Sequence, residues 1–326
     1  MQKKCVFYCI FLVYGLHIAA VLSRWGPLAG GFLEGTTLSL YVRTKSGNMY
    51  KNVKKMYFCC IFSCAFKKIF IPLRGKVQKA MNDHLSKAQI KWVRSLQQKK
   101  HRDAEGLFVA EGEKCVNDLR QAFELVLLAT PDNASSVEIE QMSSLRTPQG
   151  TIAVFRKRPI VSSPDRLIAS SPECLSLALD GVQDPGNLGT IIRTCDWFGI
   201  HHILCSRDTA DCYNPKVVQA TMGALARVRL HYVDLPNVLA GLCQQGIPLY
   251  GTLLDGQNMY DNNAIPDKQR GIIIMGNEGN GISPEVRQLI THPLFIPSYP
   301  ADIPTSESLN VGVATAIVLS EFRRKQ

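Results

Sequence analysis

The fold turns on residues 303–324, IPTSESLNVGVATAIVLSEFRR. Ser306, Ser308 and Asn310 form a polar turn that runs into a helix whose early positions are small or apolar: Val311, Gly312, Val313, Ala314, Thr315 and Ala316. Asn, Ser and Thr beside the open backbone N–H groups of a helix start make a polar ligand site. Small residues just behind let another backbone pass close by. Two other stretches suit that partner role. Residues 272–283, IIIMGNEGNGIS, read as an apolar strand ending in a glycine-rich loop. Residues 184–194, DPGNLGTIIRT, read as a turn entering a helix.

Around these three stretches the pattern alternates. Over 172–326 the sequence predicts strands at 175–179, 202–205, 229–233, 248–254, 271–275 and 294–296. It predicts helices at 188–198, 215–226, 237–245, 284–290 and 309–322. Apolar strands alternating with helices mean an α/β domain, with a mostly parallel sheet covered on both faces. Ligands in such sheets sit beyond the carboxyl ends of the strands, and all three stretches lie at that edge.

A small α/β module precedes this domain over 82–160. A helix at 86–98 has Ser86 as its N-cap and Ile90, Val93 and Leu96 on one face. Strands follow at 106–110, 125–129 and 150–155, with a helix at 113–123 and a loop through 131–136. Lys87, Lys91, Arg94, Lys99, Lys100 and Arg102 cover the other side and tail of the first helix. They form either a solvated face or a phosphate-contacting patch. Residues 156–172 read as a linker.

The formal charge of +10 is unevenly placed. Residues 1–80 carry 13 Lys and Arg against one acidic residue, and the remainder carries 24 against 26. Only local patches beyond residue 80 can therefore attract a polyanion. Five cysteines lie in the first 80 residues and six are scattered singly after them, without CxxC spacing. The later six read as reduced cytosolic thiols with no metal site. Residues 5–23 carry no formal charge and follow Lys3 and Lys4, and a second apolar run spans 57–66. Residues 1–80 are read as a targeting or membrane-anchoring segment, as a disordered extension, or as upstream sequence with Met81 as the true start. The last is preferred, because ordinary soluble composition begins there.

The glycine loop 276–283 matches neither the phosphate-cradling lysine loop nor the dinucleotide fingerprint. A carboxylate within it, Glu278, repels phosphate and suits a ligand with hydroxyl or amino donors. Asn187 is either the cap of its helix or part of a site, and Arg193 follows one and a half turns on. His201 and His202 read as structural. Together Asn187, Arg193, Glu278, Ser308 and Asn310 compose a polar site without a nucleophile dyad or a metal set. Such a site suits group transfer from a bound cofactor by positioning.

At these residues the chain resembles a known family. NLGTIIRT, MGNEGNGIS and SESLNVGVATAIVLSEF are similar to the three ordered motifs of the SpoU/TrmH RNA ribose 2′-O-methyltransferases, of the SPOUT class. The VRSL and EGLFVAEGEK stretches are similar to the family's small RNA-binding domain of L30e/L7Ae type. The resemblance spans about 82–326 and implies a C-terminal trefoil knot, a homodimer and S-adenosylmethionine as cofactor. It implies Gly276, Asn277, Ile296 and Leu309 in the cofactor pocket, with Thr252 as an additional candidate. It implies Arg193 as the catalytic residue, as general base or as phosphate anchor, with Asn187, Glu278, Ser308 and Asn310 orienting ribose, cofactor and arginine. The expected enzyme is cytoplasmic and acts on RNA, with ribosomal RNA preferred to tRNA because a separate RNA-binding module is present. One departure is the segment 296–309, which is longer than the compact family version and has two extra prolines. The rival readings are a non-catalytic ribosome-assembly factor on the same fold, a membrane-anchored protein based on residues 5–23, and a nicotinamide-linked oxidoreductase that lacks its fingerprint.

Overall fold

The computed structural model describes residues 84–324 except 160–167, 169–174, 262, 301–305 and 307, together with the backbone of four strands among the first 51 residues. The chain divides into two units, Met1–Ala80 and Met81–Gln326. In the first, β1 (Cys5–Val13), β2 (Leu16–Arg24), β3 (Thr36–Arg43) and β4 (Met49–Lys51) form an antiparallel sheet in chain order. The uncharged stretch that allows a single membrane span is thus a hairpin, with Cys5 opposite Arg24. Among the described residues no helix is long and apolar enough to cross a membrane. The apolar run 57–66, Met81 and most of the linker lie outside the described residues.

The second unit begins with a three-stranded layer. Ser86 caps α1 (Lys87–Ser95) in a reciprocal box with Gln89. The expected longer helix stops at Ser95 because the Arg102 guanidinium takes the carbonyls of Leu96 and Gln97. A separate α2 (Lys99–Glu105) follows, then β5 (Leu107–Glu111), α3 (Glu113–Leu119) and β6 (Leu125–Ala129). The next helix, α4 (Ser136–Met142), is not expected from the sequence and starts on a second box between Ser135 and Glu138. Strand β7 (Ile152–Arg156) completes an antiparallel sheet ordered β5-β7-β6. Strand alternation gives it two apolar faces. Leu107, Val109, Ile152 and Val154 meet Ile90, Val93, Ile139 and Met142. Phe108, Ala110, Ala153 and Phe155 face the larger layer and share its core.

That larger layer runs β8 (Leu175–Leu179), α5 (Pro185–Trp197), β9 (His202–Cys205), α6 (Pro215–Ala220), a 3₁₀ turn (Ala224–Ala226), β10 (Arg229–Tyr232), α7 (Leu235–Gln244), β11 (Leu249–Asn258), β12 (Gly271–Met275), α8 (Pro284–Arg287), β13 (His292–Phe295) and α9 (Val311–Arg323). The sheet order is β10-β9-β8-β12-β11-β13, and every pairing is parallel. Strands β8 and β12 are buried along their whole length, as central strands covered on both faces must be. Helix α6 presents Val217 and Val218, with Ala224 and Leu225 after it, to the three-stranded layer. The two layers are also tied by ions: Arg102, 2% exposed, donates to Asp211 at 2.7 Å.

Helix α5 carries Leu188, Ile191, Ile192 and Cys195 inward, at positions i, i+3, i+4 and i+7. Gly189 lets α6 approach: a Cβ there would lie 2.4 Å from that of Ala220. Helix α9 buries Val311, Ala314, Thr315, Val318, Leu319 and Phe322. The Phe322 ring meets Tyr250 of β11 edge-on at 4.9 Å. The connection from β11 to β12 lies against the same helix, where Lys268 donates to Glu321 at 2.8 Å. Among the described residues four cysteines are buried in these cores. Burial pushes Cys115 up to about 11 and Cys212 up to about 12, and it raises Cys195 and Cys205 further.

Candidate active site

Three strand ends and two helix starts converge at the carboxyl edge of the sheet. Asp184 caps α5 by accepting the Asn187 N–H at 2.7 Å. Asn187 is therefore not the cap, and its side chain is free to reach elsewhere. Its Nδ2 donates to Glu278 Oε1 at 2.7 Å, and its Oδ1 accepts from Asn310 Nδ2 at 2.9 Å. Asn310 is the N-cap of α9, where its Oδ1 accepts from the N–H groups of Gly312 and Val313. One chain of hydrogen bonds thus ties together residues 187, 278 and 310, one from each of the three motifs. Its direction is fixed, because Asn310 Oδ1 is held by backbone donors. The second Glu278 oxygen has no protein partner among the described residues and faces solvent with the rest of that exposed side chain.

The glycine loop is held from beneath. Asn277 Nδ2 donates to the Gly181 carbonyl at 2.6 Å, and its Oδ1 accepts from Gly279 and Asn280. Asp180 accepts the Ser283 N–H at 2.7 Å. A Cβ on Gly276 would lie 2.3 Å from the Gly281 carbonyl carbon, so the loop closes only on glycine. Asp180, Asp184 and Gly181 were missed in the sequence. An Asp three residues before Asn187, followed by Pro, is the cap signal that would have found Asp184.

Other expected residues fall around this centre. Ser308 and Leu309 are exposed beside Asn310, and Leu309 is 48% accessible. Thr252 Oγ1 donates to the Ile274 carbonyl at 3.2 Å and lies 3.7 Å from the Met275 sulfur. Beyond it β11 bulges, so that Thr252 and Gln257 both stand opposite Leu294, with exposed Leu254 and Asp255 between them. Gly256 presses on β13, where a Cβ would meet the Leu294 backbone at 2.6 Å. Half-buried Ile296 follows β13. Arg193 lies on the exposed side of α5, outside the hydrogen-bond chain and without a polar partner among the described residues.

In the three-stranded layer Lys87, Lys91, Arg94 and Lys100 are exposed, and the first three form one stripe along α1. Lys99 pairs with Asp103, which raises its pKa. Arg102 does not belong to this surface: it is buried in the joint with Asp211. His202 stacks on His231, with Nδ1 3.1 Å from Nε2. Burial, then His202, Arg229 and Arg158, pull His231 down to about 4. Among the described residues no cluster of His, Cys, Asp or Glu could hold a metal.

The edge offers carboxylate, carboxamide, backbone and exposed leucine groups, with no lysine or arginine in the loop 276–283. That set repels a phosphorylated cofactor and fits a neutral heteroaromatic ring and ribose joined to an amino-bearing, cationic group. S-adenosylmethionine has this chemistry.

Fold and site define a group-transfer enzyme of the parallel α/β class. The chain belongs to the SpoU/TrmH family of RNA methyltransferases: residues 174–320 match the SpoU rRNA methylase family, and residues 87–139 match the MRM3-like substrate binding domain. It is 40% identical to a putative RNA methyltransferase of the TrmH family from Porphyromonas gingivalis, covering 74% of this chain and 99% of that one with a TM-score of 0.66. An AdoMet-bound rRNA methyltransferase from Sinorhizobium meliloti is 28% identical, covering 74% of this chain and 96% of that one with a TM-score of 0.64. Among curated relatives, the 23S rRNA (guanosine(2553)-2′-O)-methyltransferase RlmP of Bacillus subtilis is 29% identical over 251 residues, 72% of this chain and 96% of that one.

Proposed function

We propose that the protein transfers the methyl group of S-adenosylmethionine to a ribose 2′-hydroxyl of ribosomal RNA. The observation that carries this reading is the chain of hydrogen bonds from Asn310 through Asn187 to Glu278. It links three segments far apart in sequence at the edge where a parallel sheet takes its ligand. When bound, the cofactor supplies an electrophilic methyl group.

The protein's own part is positioning. Asn187 and Asn310 hold Glu278 with one oxygen directed at ligand hydroxyl or amino donors. Gly276, Leu309, Ile296 and the bulge after Thr252 supply backbone contacts and apolar cover for adenine and ribose. The Asn277 side chain is committed to the loop, so its share is the shape of the pocket. Arg193, permanently charged, anchors the phosphate beside the target ribose in preference to acting as a base. Ser308 lies next to the reacting ribose.

The same reading assigns residues 82–160 to an RNA-holding module of L30e/L7Ae type and 172–326 to the catalytic domain. It makes the C-terminal region a trefoil knot. Support comes from α9 lying between Tyr250 of the sheet and Lys268 of the β11–β12 connection. Two copies pair through the groove of about 560 Å³ between α5 and α9, which is lined by Thr190, Thr194, Gly312, Val313 and Ala316. The enzyme acts in the cytoplasm.

The test is transfer of labelled methyl from S-adenosylmethionine to an unmodified 23S rRNA transcript, with a tRNA transcript alongside. Label on a ribose 2′-oxygen of the rRNA supports the reading. Label on tRNA alone overturns the substrate. No label from a folded protein that binds the cofactor overturns the activity.

A further inference from the structure

Trp197 is the last residue of α5 and is 85% exposed. It has no ring, cation or hydrogen-bond partner among the described residues, although it is the largest side chain on that face. Its indole presents a large, rigid apolar face that a planar partner can cover. It stands four residues after Arg193, on the same side of the helix and about 6 Å away at Cβ. Arg193 likewise has no polar partner among the described residues.

The helix connects two working regions. Its first turn holds Asn187 in the catalytic network. Its last turn is linked to the three-stranded layer through Arg227 of the large layer: Arg227 Nε donates to both Asp196 oxygens, at 2.7 Å and 3.0 Å, and Arg227 lies 3.9 Å from Asp118 of α3. Trp197 is next to this joint and about 15 Å along the helix axis from Asn187.

We propose that Trp197 is a stacking platform for a nucleobase of the substrate RNA, one to a few nucleotides from the methylated ribose. The inference rests on the RNA methyltransferase reading above and adds a residue that positions substrate. An indole face stacks on any base, while an unneutralised guanidinium one turn away takes the phosphate of the same strand. The competing occupant is a second copy of the chain, because Thr190 and Thr194 of the same helix face line the groove assigned to pairing. Arg193 decides between them: an unpaired cation calls for an anion, and RNA brings one with every nucleotide.

The experiment compares full-length wild type, Trp197→Ala and Trp197→Phe in steady-state transfer to the 23S rRNA transcript, with oligomeric state measured by sedimentation. For Trp197→Ala the expected result is a KM for RNA raised about tenfold, the size of one lost stack. The kcat, the KM for S-adenosylmethionine and the sedimentation coefficient stay at wild-type values, and Trp197→Phe recovers most of the loss. An unchanged KM for RNA overturns the proposal. A change in sedimentation also overturns it and assigns Trp197 to the interface between copies. Absence of transfer by the wild-type protein refutes the underlying activity and this inference with it, an outcome visible before any variant is assayed.

Discussion

Asn187 and Arg193 sit six residues apart on one helix and do different things. Asn187 is oriented from both sides, by a donor at Asn310 and an acceptor at Glu278. Arg193 has no polar partner among the described residues. Arg193→Ala should therefore abolish methyl transfer while the affinity for S-adenosylmethionine, measured by calorimetry, stays unchanged. Lost cofactor binding in a folded variant would refute the assignment. A second residue gives a pH signature. His231 titrates near 4 in the folded protein and near 6.5 unfolded. The unfolded chain takes the proton first, so this stabilisation is complete above about pH 6.5 and falls away as pH drops toward 4. It amounts to about 3 kcal/mol over that window. His231→Gln should flatten the thermal midpoint between pH 6.5 and 4. An unaltered pH profile would remove His231 from the explanation. In sequence Asn187 could be either cap or site residue, because both use a carboxamide at a helix start. Asp184 settles that only once its bond to the Asn187 N–H is seen.

At the scale of elements, Asn310 does two jobs that a substitution can separate. Its oxygen caps α9 and its nitrogen orients Asn187. Asn310→Asp keeps the cap and loses the donor, so the melting temperature should hold within about 1 kcal/mol equivalent while kcat falls. Equal loss of both would mean that the cap alone matters. Glycine contacts rank the helix packings. A methyl group at Gly189 meets Ala220 at 2.4 Å, whereas at Gly312 the closest neighbours, Asn310 and Thr190, lie at 3.2 and 3.3 Å. Gly189→Ala should cost about 1–3 kcal/mol in chemical denaturation and Gly312→Ala less, and the reverse order would contradict the packing described. The long periodic elements were legible, since alternation and caps are local signals. Helix α4 and the break after α1 were not. The first looks like a Ser-rich loop, and the second depends on Arg102 turning back onto carbonyls that the sequence does not reveal.

For the whole molecule the buried joint is the test of how the layers hold together. Arg102 donates to Asp211, and its Nε has no hydrogen-bond partner among the described residues. Asp211→Asn would leave an uncompensated buried cation and should destabilise the fold by about 3–5 kcal/mol. Adding Arg102→Met should recover most of that, as read by urea unfolding. No recovery would show that Asp211 acts through other contacts. Sequence placed Arg102 among the RNA-facing cations because a run of basic residues carries no sign of which one turns inward. Lys87, Lys91, Arg94 and Lys100 remain on the surface. Replacing these four by alanine should weaken RNA binding and flatten its salt dependence, and an unchanged salt slope would rule the stripe out as the phosphate contact. The parallel sheet and its ligand edge were legible from alternation. The link across residues 187, 278 and 310 was only partly so, because the residues were identifiable but their contacts depend on strand order.

The buried cysteines make the protein its own reporter. Cys115 lies on α3 at the seam between the layers, with its sulfur 4.0 Å from the Val218 carbonyl, whereas Cys195 on α5 and Cys205 on β9 lie within the larger layer. A thiol reagent reaches each of them only when the surrounding packing opens. Their alkylation rates, read by mass spectrometry, time the breathing of the seam and of the core separately. A seam that opens first would let the three-stranded layer loosen while the edge of the large sheet stays assembled, and equal rates would make the second unit a single cooperative body.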